Sequence, residues 1–295
     1  MNMDRNDWIC RSLLYCPLKC VFYYSTEVWK AMHPMLTIAV RAARRAGAII
    51  NRGSLDLDKV QIARKGPNDY VTEIDRNAEQ AVIEVLRDAY PDHAFLGEES
   101  GHIPGPKDKE NEVPEYQWVV DPLDGTTNFV HGFPNYAVSI ALLHKGVVTQ
   151  AVVYDPARNE MFTATRGGGA FLNDRRVRVG SRTRFSDALI AGRFPSVSGS
   201  TRTGAERFYG LVDDCSGFRR LGATVLELAY VATGRFDGYC GVHLKPWDLA
   251  AGSLLILEAG GLIADFEGEQ TWQQTGNVLA ASPKIFTQML HSLKQ

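Results

Sequence analysis

The segment Asp121-Pro122-Leu123-Asp124-Gly125-Thr126-Thr127-Asn128 carries the strongest structural signal in this sequence. The apolar run before it predicts a strand that ends at Asp121, and Pro122 fixes the backbone there. The following Asp-Gly pair predicts a sharp turn, after which a helix begins with free amides that suit an anion. Two carboxylates, the Leu123 carbonyl and a helix N-terminus together describe hard-cation ligands beside a phosphate. Taken alone, a D-x-x-D-G pattern is more often an ordinary turn, with its first Asp as a cap.

Other acidic residues occupy similar positions at chain turns. Gly97-Glu98-Glu99 follows a second short predicted strand, and adjacent carboxylates there are costly unless cations or water compensate them. Trp247-Asp248 opens a predicted helix, and Thr72-x-x-Asp75 matches a capping box. The structural alternatives are a solvated loop for the Glu pair and helix caps for Asp248 and Asp75.

Composition excludes several classes of protein. The chain has 295 residues, 45% of them hydrophobic and 22% charged, which is typical of a globular protein and not of a disordered one. Its net charge of −2, from 32 basic and 34 acidic residues, gives no field that would bind nucleic acid or a membrane autonomously. No uncharged apolar run approaches the length of a membrane span. P-loop and nucleophile-elbow motifs are absent from the sequence.

The order of predicted elements favours a mixed α/β protein. Helices come first, a mainly antiparallel sheet follows, and strands then alternate with helices, which indicates a layered architecture. We expect an N-terminal α+β subdomain at 32–180 and a C-terminal α/β subdomain at 181–295. Residues 1–31 differ in composition, and we expect a disordered extension or a start site at Met32, with little loss of activity on deletion. Cys215 and Cys240, the two cysteines outside residues 1–31, fit a reducing, cytoplasmic location.

The three motifs in this order resemble the inositol monophosphatase family. They are Gly97-Glu98-Glu99, the segment 121–129, and Trp247-Asp248-Leu249-Ala250-Ala251-Gly252. The resemblance covers 32–295 and is closest to a bacterial branch, through Met32–Leu36 and Tyr154–Glu160. It implies a Mg²⁺-dependent phosphomonoesterase with an αβαβα sandwich, usually a homodimer.

The resemblance also implies roles for individual residues. It places a first Mg²⁺ on Glu98, Asp121 and the Leu123 carbonyl. A second ion would lie on Asp121, Asp124 and Asp248, and a third, weaker one near Glu98. Thr126 and Glu98 would orient and deprotonate the attacking water, and Asp75 would hold that threonine. Lys65 matches a basic residue near the metal loop. The implied substrate contacts are Glu98, Leu123, Asp124, Gly125, Thr126, Arg219, Gly222, Ala223, Thr224 and Asp248.

One position departs from the family pattern. Inositol-processing members carry an acid seven residues before the Asp that corresponds to Asp248, and this chain has Gly241 there. We therefore expect a lost hydrogen bond to a polyol hydroxyl, which Gly241→Glu would restore for inositol 1-phosphate.

The predicted function is hydrolysis of inositol 1-phosphate or a similar small polyol phosphate. One alternative is a sugar- or nucleoside-bisphosphate phosphatase. Another is an RNA-polymerase-associated accessory protein in rRNA transcription or processing, a role that could coexist with catalysis. Because the net charge is close to zero, we expect that role to use a protein contact and not RNA binding.

Overall fold

The computed structural model describes residues 32–66, 69–109, 112–194 and 210–294. His33 to Gln295 form one compact unit. The expectation for residues 1–31 lies outside the described residues, and the boundary near residue 180 stays a prediction. Within the described ranges, no helix is long and apolar enough to cross a membrane.

Two amphipathic helices open the fold. Helix α1 spans Pro34–Gly53, with a proline in its first turn and the His33 side chain accepting from the Met35 amide. Helix α2 spans Glu73–Ala89 and begins with the predicted capping box at Thr72. A two-stranded ladder precedes α2, formed by β1 (Ile62–Gly66) and β2 (Asp69–Thr72).

An eight-stranded sheet forms the centre of the molecule. Its strands are β3 (Ala94–Gly97), β4 (Gly101–Ile103), β5 (Tyr116–Asp124), β6 (Ala137–His144), β7 (Val147–Asp155), β8 (Glu160–Thr165), β9 (Gly169–Leu172) and β10 (Arg175–Arg176). Their order is β10-β9-β8-β7-β6-β5-β3-β4, and every pairing is antiparallel except β3 with β5. A short helix, α3 (Thr126–Val130), follows β5 directly.

A second sheet has five strands in the order β12-β11-β13-β15-β14. They are β11 (Leu189–Arg193), β12 (Gly217–Arg219), β13 (Gly238–Gly241), β14 (Leu262–Ala264) and β15 (Val278–Ala281). The helices of this half are α4 (Thr224–Ala232), α5 (Pro246–Glu258), α6 (Trp272–Thr275) and α7 (Pro283–Lys294). Residues 210–214 are also helical, and 3₁₀ turns lie at Leu57–Lys59 and Phe185–Asp187.

Three hydrophobic clusters define the layers. One joins α1 and α2 to one face of the large sheet, with Trp118 and Ile140 at its centre. The next joins the opposite face of that sheet to α4, α5 and the near face of the second sheet. The last joins the far face of the second sheet to α7 through residues such as Ile285 and Met289. This arrangement confirms the predicted αβαβα sandwich.

Candidate active site

An irregularity at the end of β5 brings Asp121 and Asp124 together. Asp121 pairs with Ser139 and Asp124 pairs with Ala137, so three steps along β5 match two along β6. Side chains three apart in a regular strand point to opposite faces, whereas an extra residue re-aims them. Pro122, which has no N–H to donate, lies inside the irregular stretch. The predicted strand end at Asp121 therefore extends to Asp124.

Asp248 joins these two carboxylates from another element. It lies in the first turn of α5, where its Oδ2 accepts a 2.8 Å hydrogen bond from the Lys245 amide. One ligand oxygen from each of Asp121, Asp124 and Asp248 lies within 4.8 Å of the others. Because a carboxylate has two oxygens, Asp248 can cap α5 and still offer an oxygen to a cation.

Glu98 lies beside this cluster at the end of β3. Its amide donates to the Val120 carbonyl at 3.1 Å, and its half-buried carboxyl hydrogen-bonds to Asp121.

The sequence alone did not indicate the residue that shapes the turn after β3, which is Glu79 on α2. Its buried Oε1 accepts from the Glu99 amide at 3.0 Å. The available signal was an acid four residues after Asp75, on the apolar face of a helix.

The electrostatics of the cluster favour a cation. Burial raises the pKa of Asp121 well above its usual range, and repulsion from Glu98, Asp124 and Asp248 adds to the shift. Burial, followed by repulsion from Asp248, does the same to the pKa of Asp124. Carboxylate oxygens with a nearby backbone carbonyl are the donor set that Mg²⁺ and Ca²⁺ prefer. The residues present therefore fit a hard divalent cation, which would relieve this repulsion.

Asp75 connects α2 to the motif. Its Oδ2 accepts from the Thr72 amide at 2.8 Å and from the Thr72 hydroxyl at 2.5 Å, which completes the capping box. Its Oδ1 lies 2.9 Å from the Thr126 hydroxyl, which is also 3.0 Å from the Leu123 carbonyl. Burial raises the pKa of Asp75, and the hydrogen bonds from both threonines oppose that rise. Asp75 therefore caps α2 with one oxygen and bonds to Thr126 in the motif with the other.

Gly125 makes the turn between β5 and α3 possible. It has φ +96°, in the left-handed region that favours glycine. A Cβ there would lie 2.9 Å from the Asn135 carbonyl and 3.3 Å from the Ala223 Cβ. This backbone conformation lets α3 begin at Thr126, directly after the carboxylates.

The loop Gly222-Ala223-Thr224 reaches the same place from the second half of the chain. The Leu221 carbonyl before it accepts from Asn128 at 2.8 Å and from Asn135 at 3.2 Å. Just after it, the Val225 amide donates to Asp124 Oδ2 at 2.7 Å. These bonds fix the loop against the motif.

A buried acid, Glu227 on α4, holds this loop from its other side. Its Oε1 accepts from the Leu221 amide at 2.5 Å, and the Gly222 amide also bonds to it. Burial raises the pKa of Glu227 to about 7, although those amides, Arg220 and Arg193 oppose the rise. In the sequence, Glu227 stands out only as an acid inside an otherwise apolar helix.

Of the two predicted basic residues, the structure describes the side chain of Arg219 but not that of Lys65. Arg219 is exposed at the end of β12 and donates to the Phe218 carbonyl at 2.9 Å. The charge of the neighbouring Arg220 acts on Glu227 beneath the loop. Lys65 is part of β1, and its side chain lies outside the described residues.

Comparisons with known proteins agree with this geometry. Residues 31–295 match the inositol monophosphatase family. The chain belongs to that family. It is 47% identical over 266 residues to the Nus factor SuhB of Pasteurella multocida, covering 89% of this chain and 97% of that one.

Solved structures of the inositol monophosphatase family share the fold. The crystal structure of extragenic suppressor protein SuhB from Bartonella henselae superposes with a TM-score of 0.85 at 41% identity, covering 89% of this chain and 99% of that one. Inositol monophosphatase from the cyanobacterium Anabaena gives a TM-score of 0.77 at 35% identity, covering 88% and 95%. These matches confirm the resemblance and its bacterial branch, and they support metal-dependent phosphatase chemistry.

The structure corrects the expectation for Gly241, the departure from the inositol monophosphatase pattern. A Cβ at Gly241 would lie 2.6 Å from the Tyr239 hydroxyl and 3.0 Å from Leu244 Cδ1. Tyr239 is fully buried, so its ring has no free space into which it could move. Gly241→Glu is therefore expected to disturb packing before it contacts a substrate, and it cannot serve as a clean gain-of-contact variant.

Proposed function

We propose that this chain is a Mg²⁺-dependent phosphomonoesterase that hydrolyses a small phosphorylated polyol of the inositol 1-phosphate kind. The observation that carries the proposal is the convergence of Asp121, Asp124 and Asp248 within 4.8 Å of one another. These carboxylates come from two separate elements and lie next to the hydrogen-bonded pair of Asp75 and Thr126.

The ligands for the cations would be the three aspartates, Glu98 and the Leu123 carbonyl. When bound, Mg²⁺ ions would polarise the phosphoryl oxygens and neutralise charge that develops during phosphoryl transfer. Two to three ions are part of the proposal, because the resemblance to the inositol monophosphatase family implies that number.

The attacking water is held and deprotonated by side chains of the chain itself. Asp75 accepts the hydroxyl hydrogen of Thr126, which leaves a lone pair on Thr126 Oγ1 to accept from a water molecule. Glu98, half-buried and adjacent to Asp121, is the general base that takes the second proton. This division of roles requires both acids to be ionised when the substrate binds.

The two halves of the substrate meet different parts of the site. The amides from Gly125 to Thr127 donate to the non-bridging phosphoryl oxygens. The loop Gly222-Ala223-Thr224, which is held to Asp124 through the Val225 amide, contacts the alcohol half. A shift of this loop would therefore change KM for the alcohol more than it changes the chemical step.

The first prediction concerns Asp124→Asn. We expect kcat for phosphate release to fall by more than about a hundredfold, because the amide keeps the shape and loses the charge that a cation needs. Phosphate release would be measured with and without Mg²⁺ on a panel of phosphate monoesters. Asp88→Asn, at an exposed position on α2, is the matched control. A kcat of Asp124→Asn within tenfold of the parent would contradict the metal assignment.

A second candidate function is a protein contact with the transcription machinery. Its support is that relatives 46–47% identical to this chain are named Nus factor SuhB. The test is capture of RNA polymerase and its elongation factors by the purified chain, with Asp124→Asn in parallel. Equal capture by both proteins would show a role independent of catalysis, whereas no capture by either would remove this candidate.

Other expectations from the resemblance stay predictions. They are a homodimer, which sedimentation equilibrium would test, and a cytoplasmic location.

The alternative of a sugar- or nucleoside-bisphosphate phosphatase is tested by the same phosphate-release panel, because a bisphosphate and its monophosphate can be compared directly.

A further inference from the structure

Arg193 and Gly241 are neighbours on the side of the second sheet that faces the site. Strands β11 and β13 run parallel, and Arg193 is paired with Gly241 at their carboxyl ends. Because side chains alternate along a strand, Arg193 shares its face with Ala191, and Gly241 shares its face with Tyr239. Ala191 and Tyr239 belong to the core cluster that contains α4 and α5. The carboxyl ends of parallel strands are where open α/β sheets bind ligands.

The charge of Arg193 acts on polar groups from three elements. It lowers the pKa of Asp248 on α5, of Glu227 on α4 and of Tyr239 on β13, although burial raises each of these values overall. Arg193 itself is exposed, so a ligand can reach its charge. The two other cations acting on these groups are Arg220 and Lys245. The positive charge here is therefore not confined to one side chain.

The neighbouring position offers no carboxylate to a ligand. Gly241 has no side chain, and a Cβ there would point at the Tyr239 hydroxyl, 2.6 Å away. That hydroxyl is buried and interacts with the Thr224 side chain. A neutral polyol hydroxyl held by a carboxylate needs an acceptor, whereas an oxyanion needs donors and positive charge.

We propose that the alcohol half of the substrate carries a second anionic group, a carboxylate or a phosphate, which pairs with Arg193. The inference rests on the proposed phosphatase function, and it favours a polyol phosphate with a second negative charge over inositol 1-phosphate itself. Arginine suits this task because its planar fork binds both kinds of oxyanion through two parallel hydrogen bonds. The phosphoryl group that is cleaved stays at the carboxylate cluster, and the second anion distinguishes one polyol phosphate from another.

The test compares substrates that differ in one charged group. Glycerol 2-phosphate and 2-phosphoglycerate differ only in a hydroxymethyl or a carboxylate. Fructose 1-phosphate and fructose 1,6-bisphosphate differ in a second phosphate. Steady-state kcat/KM would be measured at saturating Mg²⁺ for the parent, Arg193→Gln, Arg193→Lys and the control Arg41→Gln, an exposed position on α1. Thermal unfolding of each variant confirms that it folds.

We expect the parent to prefer the anionic member of at least one pair. Arg193→Gln should lower that preference by about ten- to hundredfold, since a hydrogen bond to a charged group contributes that much. Arg193→Lys should keep part of the preference, and Arg41→Gln all of it. Equal kcat/KM within both pairs, or an equal loss for both members in Arg193→Gln, would overturn this inference alone. Absence of hydrolysis of every ester would overturn the proposed function, and this inference with it.

Discussion

At the scale of single residues, Asp75 and Asp248 each combine a helix cap with a place in the proposed site. Asp75 caps α2 with one oxygen and holds Thr126 with the other. Asp248 caps α5 with one oxygen and offers a ligand atom to the cluster. A capping carboxylate is fixed in position before any ligand arrives, which lowers the entropic cost of binding. Loss of such a residue should therefore affect stability and activity together.

Glu227 gives a prediction at this scale. Its pKa of about 7 lies above the ordinary value of 4.5, so the folded protein holds the proton more tightly than the unfolded chain does. The resulting stability is fully present below about pH 4.5 and is lost as the pH rises through about 7. Relative to Glu227→Gln, the parent should lose stability on the order of 3 kcal/mol across this window, from the value of 1.36 kcal/mol per pKa unit.

Urea unfolding of both proteins between pH 4.5 and 8, at fixed Mg²⁺, would check this difference. Titration of the metal-site carboxylates affects both proteins, so only the part of it that depends on Glu227, through Asp124, remains in the difference. The charged and titratable groups that act on Glu227 are Arg220, Arg193, Asp124 and Tyr239. Glu84→Gln, at an exposed position on α2, controls for the loss of one carboxylate. A stability difference that does not change with pH would contradict the prediction.

At the scale of elements, the irregular end of β5 does most to build the site. One extra residue against β6 turns two carboxylates toward the same space, and Gly125 then redirects the chain into α3. The same bend lets Asp124 Oδ2 reach the Val225 amide at the start of α4. A strand, a short helix and a helix from the other half of the chain are thereby fixed relative to one another.

Gly125→Ala gives the prediction for this scale. Both Gly125 and Gly260 have φ near +90°, where an alanine costs about 1–2 kcal/mol. A Cβ at Gly125 also lies 2.9 Å from the Asn135 carbonyl, whereas one at Gly260 meets nothing within 4 Å. Gly125→Ala should therefore destabilise the protein by at least about 1 kcal/mol more than Gly260→Ala, as overpacking typically does, and it should lower kcat.

Denaturant midpoints and phosphate release, measured on both glycine variants, would decide the point. Equal destabilisation by the two substitutions would show that the Asn135 carbonyl can move away from the new Cβ without lowering the free energy of unfolding. Unchanged kcat in Gly125→Ala would show that the turn is not essential for placing α3.

At the scale of the whole molecule, the layers concentrate negative charge at one place. The large sheet supplies Glu98, Asp121 and Asp124, and the inner helix layer supplies Asp248 and Glu227. Such a group of buried acids opposes folding unless it is protonated or binds cations. Much of the stability of the αβαβα sandwich should therefore depend on divalent cations and on pH.

Mg²⁺ should raise the melting temperature of the parent by several degrees. At a hundred times the dissociation constant, a ligand that binds only the folded state adds about 2.7 kcal/mol. Differential scanning fluorimetry with MgCl₂, and with KCl at equal ionic strength, would separate binding from screening. Asp124→Asn should lose most of the Mg²⁺-specific shift. An equal shift in that variant would contradict the assigned ligand set.

The sequence determined those features that depend on neighbours along the chain. The periodic apolar positions of α1 and α2, the capping box at Thr72 and the Asp-Gly turn at residues 124–125 could be predicted because each depends on residues a few positions apart. Motif order also indicated the family, and with it the layered sandwich.

Only the tertiary structure decided which distant residues share the site and which faces they occupy. Sheet register decides the extra residue in β5 and the pairing of Arg193 with Gly241. Helix docking brings Glu79 to the Glu99 amide, next to Glu98. Glu227 is an acid in an apolar helix by sequence, and its hold on the Leu221 amide exists only in the fold. Because long-range packing energies set register and docking, no local pattern reports these contacts.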